Sequence, residues 1–174
     1  LKLSEVKEDY LDPLLVQRTE QQVDAKKGVR DYYQAKIGTT NSQLQAINSS
    51  RDLKLNQLKI KVSQLQHKLA GEEAELAAAN NELRLSEDQY NRQKKMYDEG
   101  LVSLTQFQQR NMSFQNAAAK KTSAENKAAQ TRQEILTVSI EQNATIQDYT
   151  EKMSKIEGER FQSMGQIEGS DGEI

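Results

Sequence analysis

A chain of 174 residues with 35% hydrophobic and 29% charged residues, one Pro and no Trp cannot fill a wide core, though it can fill a narrow seam between helices. A net charge of −2 offers no basic field for nucleic acid, and the lack of Cys excludes a disulfide framework and thiol chemistry. No run of about 18 apolar residues occurs, so no transmembrane helix is expected. With its start at Leu1 and no signal peptide, the chain reads as an excised fragment, any anchor or targeting segment being expected outside it.

Residues 1–12 come first. Leu1-Lys2-Leu3-Ser4-Glu5-Val6 alternates apolar and polar like a half-buried strand without a partner, so an extended or frayed segment is expected. Asp12-Pro13 reads as N-cap and first helical residue, opening a helix expected over 13–99. Inside it, Gly38-Thr39-Thr40-Asn41 is weakly helical, and a stutter, kink or break is expected near 38–43. Beyond that stretch Leu55, Val62, Leu69, Leu76, Leu83, Tyr90 and Tyr97 fall seven apart, with Leu58, Leu65, Glu72, Ala79, Ser86 and Gln93 between them. Such heptads predict a left-handed coiled coil, and their persistence argues against the disorder that polarity alone would suggest.

Residues 98–106 carry the strongest turn signal. Gly100 suits the left-handed position after a helix end, with Leu101 folding back toward Met96. Ser103 and Gln106 have the spacing of a capping box, and Val102 and Phe107 that of a hydrophobic staple. A turn at 100–103 joins two helices with almost no loop, which makes the flanking helices antiparallel. The second helix is expected over 104–168, with Phe107, Phe114, Lys121, Ala128, Ile135, Gln142, Tyr149 and Ile156 seven apart, Lys121 and Gln142 being polar breaks in that seam. The stretch 169–174, rich in Gly, is expected to fray. The fold class is therefore all-α, a long antiparallel two-helix coiled-coil hairpin.

Few residues suggest chemistry. His67, the one histidine, lacks a partner at i, i+4 spacing, so Glu73 and Glu75 complete no metal site with it. No nucleophile elbow or phosphate-binding loop is present, and a two-helix rod has no pocket to shift a carboxylate. The expectation is no enzyme, no metal and no cofactor. The triplets starting at Asn48, Asn111 and Asn143 read as chance rather than glycosylation, and Lys26-Lys27, Lys94-Lys95 and Lys120-Lys121 as solvated helix faces.

Three features resemble the α-helical hairpin of periplasmic adaptor proteins (membrane fusion proteins) of the hemolysin D type. The run Ser4-Glu5-Val6-Lys7-Glu8-Asp9-Tyr10-Leu11-Asp12-Pro13 looks like the passage from a lipoyl half-domain into such a hairpin. Gly100-Leu101-Val102-Ser103 resembles the family's tip turn, and Arg92, Met96 and Ser103 match its tip motif R-x3-L-x6-S, with Met96 where Leu is usual. Methionine is apolar and adaptable, which makes the departure mild. The resemblance implies a subunit anchored in the inner membrane and standing in the periplasm. It implies that neighbouring copies assemble as a hexamer. The tip, with Arg92, Met96, Gly100, Leu101 and Ser103, would dock on a TolC-type outer-membrane channel. An ABC transporter for type I secretion or an efflux pump would be the inner-membrane partner. Two other readings compete: a scaffolding coiled-coil rod, and a pore-forming or membrane-remodelling rod, for which Leu101, Val102 and Leu104 are too few beside Asp98 and Glu99.

Overall fold

Pro13 has its φ already set for a helix and needs no N–H partner in the first turn, and a helix begins there. The computed structural model describes residues 13–171, which form α1 (Pro13–Asp98) and α2 (Leu104–Asp171), a helical hairpin with no strand among the described residues. The expected extended segment 1–12 and residues 172–174 lie outside the described residues. α2 runs three residues past the expected end at 168, so Gly169, Ser170 and Asp171 are helical rather than frayed. Among the described residues no helix is long and apolar enough to cross a membrane.

Of the alternatives open near 38–43, a break does not occur: α1 continues through it for 86 residues in all. The hydroxyls of this stretch bond back along the helix, Thr39 Oγ1 to the Ala35 carbonyl (3.1 Å), Thr40 Oγ1 to that of Ile37 (2.9 Å) and Ser42 Oγ to that of Gly38 (3.1 Å). They thereby stay inside the helix instead of offering the backbone a turn. Thr40 is buried in the seam, and tertiary packing overrides the weak local propensity.

The chain divides into two compact units, one holding residues 13–52 and 146–171 of the described chain and the other Leu53–Thr145. In the first, the less exposed positions of α1 are Tyr33, Ile37, Thr40, Leu44, Ile47 and Arg51, an unbroken alternation of steps of four and three. In the second they are Leu58, Val62, Leu65, Leu69, Glu72 and so on to Gln93, in the same rhythm. Lys54, Leu58 and Val62 make two successive steps of four, and so do Thr145, Tyr149 and Met153 on α2. That is the signature of a stutter. It falls at 54–62 and 145–153, not at 38–43.

Packing within the Leu53–Thr145 unit is narrow. Its buried apolar residues are Leu58, Ala79, Ala117, Ala124, Ala128 and Val138, mostly alanines, so the helices approach closely. Flanking polar pairs tie α1 to α2: Lys54 to Glu141 (3.1 Å), Lys68 to Glu134 (3.6 Å), Glu73 to Arg132 (2.8 Å), Glu75 to Lys127 (3.6 Å), Glu82 to Lys120 (2.8 Å) and Gln89 to Arg110 (2.9 Å). Partner numbers fall on α2 as they rise on α1. Exposed pairs add about 0–1 kcal/mol each, so their main effect is to select the register. In the other unit Asn41 is bonded to Arg160 (3.3 Å), Ser50 to Tyr149 (2.9 Å) and Arg51 to the Met153 sulfur (3.8 Å).

Candidate docking surface

The turn at the tip is built from hydrogen bonds its own residues supply. Gly100 has φ +73°, the left-handed region that only glycine enters without strain. From there the Leu101 N–H donates to the Met96 carbonyl (2.8 Å) and the Gly100 N–H to that of Tyr97 (2.9 Å), the two bonds of a Schellman end. Three residues on, the Gln106 N–H donates to Ser103 Oγ (3.2 Å) while the Ser103 N–H donates to Gln106 Oε1 (3.1 Å). This reciprocal capping box satisfies donors the helix start would leave orphaned. Val102 and Phe107, the staple positions, are both half-buried.

Behind the turn lies a ladder of rings drawn alternately from the two helices. Tyr97 stacks on Phe107 (centroids 5.2 Å, planes 11° apart), Phe107 lies 5.6 Å from Tyr90, and Tyr90 stacks on Phe114 (5.3 Å, 16°). Offset ring pairs of this kind add about 0.5–1.5 kcal/mol each beyond their burial, so the turn stands on a stiff base. Each ring was visible as a seam residue in the heptads, but which rings meet depends on the register between helices, which no local pattern carries.

The five residues singled out from the sequence differ in how far the fold employs them. Gly100 is required by its φ. Ser103 is occupied in the cap. Met96 and Leu101 lend their backbone to the helix end, while their side chains are 40% and 67% exposed. With Tyr97 (37%) and Leu104 (51%) they form an apolar group at the end of the unit. Arg92, one helical turn before Met96, has no hydrogen-bond or ion-pair partner among the described residues; Asp88, one turn back, is not paired with it. Among the described residues no group of His, Asp and Glu is placed to hold a metal ion.

The outer sides of the two helices in this unit are less expected. On α2, the line that starts at Thr105 and repeats every three and four residues (Gln108, Met112, Gln115 and onward) to Asn143 is exposed throughout and carries no charge. On α1, the corresponding line from Leu53 through Asn56 and Ile60 to Asn81 is exposed and has no Asp, Glu, Lys or Arg. The charges sit beside the seam instead, where they form the pairs described above.

Comparison of the chain with protein-family models, with curated proteins and with solved structures finds no match.

Proposed function

We propose that this chain is the α-helical hairpin of a periplasmic adaptor subunit of the hemolysin D type. In this reading the hairpin is a long antiparallel two-helix coiled coil that bridges an inner-membrane transporter and a TolC-type outer-membrane channel, in type I secretion or tripartite efflux. The full-length protein would be anchored in the inner membrane, with the hairpin in the periplasm, neighbouring copies beside it and no catalytic role.

The observation that carries the reading is the contrast at the tip. The turn satisfies its own backbone, yet Arg92 is left without a partner next to an exposed apolar group of Met96 and Leu101. A guanidinium with five donors and no internal acceptor is suited to carboxylates or carbonyls of a docking protein, with the apolar side chains supplying contact area. The sequence motif formed by Arg92, Met96 and Ser103 supports the same surface.

The test is disulfide capture. Leu101→Cys in the full-length protein should cross-link to cysteines at the helical end of a TolC-type channel, and Arg92→Ala or Ser103→Arg should abolish export while helicity stays unchanged. Normal export by both variants overturns the docking role. The scaffolding-rod reading has one observation in its favour, the full employment of Ser103 in the cap. It predicts no cross-link and no export defect.

A further inference from the structure

The tip carries one soft, oxidisable atom. The chain has no Cys, and the Met96 sulfur is the sole sulfur between Arg92 and Phe107. Met96 is 40% exposed, in the apolar group it forms with Leu101 (67%). Its carbonyl closes the turn by accepting the Leu101 N–H (2.8 Å), and its thioether takes no part in that closure. We propose that Met96 is an oxidation site that switches the tip. Its sulfoxide withdraws the apolar contact and the Arg92 guanidinium from the docking surface together, and leaves the turn closed. The chemistry rests on the tip geometry; the consequence rests on the reading that the tip docks on a channel protein.

The oxidant is a peroxide. The sulfur lone pair attacks one peroxide oxygen, the O–O bond breaks, and the departing oxygen takes up the proton, so that hydrogen peroxide leaves as water. Sulfur loses two electrons and the peroxide gains them. A flexible apolar side chain becomes a polar one with a hydrogen-bond-accepting oxygen, and enzymatic reduction reverses the change.

Position decides what that oxygen meets. Arg92 and Met96 are four apart on α1, so their Cβ atoms lie about 6 Å apart on one face. Helical side chains lean toward the N-terminus, which carries the Met96 side chain back over the turn that bears Arg92. Arg92 has no hydrogen-bond or ion-pair partner among the described residues, and Gln89, three residues back, already accepts from Arg110 (2.9 Å). A thioether is a weak acceptor, yet in the other unit Arg51 Nη1 donates to the Met153 sulfur at 3.8 Å. A guanidinium of this chain thus takes sulfur as a partner, and a sulfoxide oxygen is the better acceptor. Oxidation supplies Arg92 with the internal acceptor it lacks.

The other methionines lack this arrangement. Met164 (44% exposed) has Arg160 one turn back, but that guanidinium is tied to Asn41 (3.3 Å). Met112 (64% exposed) has Gln108 at the same spacing, and half-buried Met153 has Tyr149.

For the test, the 174-residue chain with Met112→Leu and Met164→Leu is treated with hydrogen peroxide. Peptide mass mapping should show one added oxygen at Met96. The Arg92 Nε–H signal should then shift in the NMR spectrum and exchange more slowly with water, with far-ultraviolet circular dichroism unchanged. Adding Met96→Leu should abolish the NMR change. A Met96 that stays reduced, an Arg92 signal that does not move, or a loss of helicity on oxidation overturns the inference. In the full-length protein with Leu101→Cys, Met96→Gln stands in for the sulfoxide and should cut the cross-link to the channel protein roughly tenfold, while Met96→Leu keeps it. Equal cross-linking by Met96→Gln and Met96→Leu, with Arg92→Ala still blocking export, overturns the switch and leaves docking standing. Normal export by Arg92→Ala and Ser103→Arg removes docking itself, and with it the consequence drawn for Met96.

Discussion

The turn makes Gly→Ala a substitution of opposite sign at two positions of the same unit. At Gly100 a Cβ meets no atom within 4 Å, so its whole cost is conformational: φ +73° places an L side chain in the left-handed region. That costs about 1–2 kcal/mol, partly offset by the lower entropy of the unfolded chain, leaving Gly100→Ala about 1 kcal/mol less stable. Gly71 also has open space around its Cβ, but it lies in the interior of α1 with no positive φ. There the same change removes glycine's entropic penalty and should stabilise by about 0.5–1 kcal/mol. The two variants should therefore differ by about 2 kcal/mol although each adds one methyl group to empty space. Both belong to the Leu53–Thr145 unit, so one urea titration followed by far-ultraviolet circular dichroism reads them from a common transition. The midpoint should fall for Gly100→Ala and rise for Gly71→Ala with unchanged slope. Midpoints moving in the same direction would refute the conformational account of the turn.

Ser103→Ala should cost about 1 kcal/mol in the same titration, and adding Gln106→Ala should cost less than its separate effect, because the two side chains serve one reciprocal cap. Thr131→Val should stabilise by about 1 kcal/mol, since the Thr131 hydroxyl is fully buried without a hydrogen-bond partner; a loss of stability would show that the hydroxyl is bonded in solution. Lys152 donates to Asp148 at 2.6 Å, and this bond, opposed by desolvation and aided by the Asp148 and Tyr149 charges, raises its pKa above 10.5. Its contribution to stability is thus complete below pH 10.5 and disappears as pH rises through the higher folded value. Side-chain NMR titration should show Asp148→Asn bringing Lys152 back toward 10.5; no change on that substitution would remove the assigned cause.

What could be read from the sequence depended on how local the governing physics was. The tip was legible residue by residue, because a left-handed glycine and a Ser-x-x-Gln box involve only neighbours within six positions. The helix through Gly38-Thr39-Thr40 was not, because burial of Thr40 by the second helix outweighs propensity. The shift of register was sensed but misplaced. Leu44 and Ile47 stand out of step with Val62 and Leu69, and the two steps of four that connect them lie at Lys54–Leu58–Val62, where Lys54 and Leu55 are both half-buried. At the candidate site the residues of the motif were all named in advance. Their employment was not, since an i−4 ion pair between Arg92 and Asp88 is offered by the sequence and left unmade by the fold. The uncharged outer lines were written in the sequence too, but a neutral stripe acquires meaning only when exposure shows which way it points.

The self-contained turn has an evolutionary consequence. A loop that depends on its side chains for closure can change its surface only by risking its fold. Here closure rests on one glycine, one Ser–Gln pair and main-chain atoms, while the side chains of Arg92, Met96, Leu101 and Leu104 take no part in its hydrogen bonds. Exposed tip positions such as Leu101 and Leu104 are thus free to drift, and a lineage could change the surface of this tip in a few substitutions without repairing the scaffold that presents them.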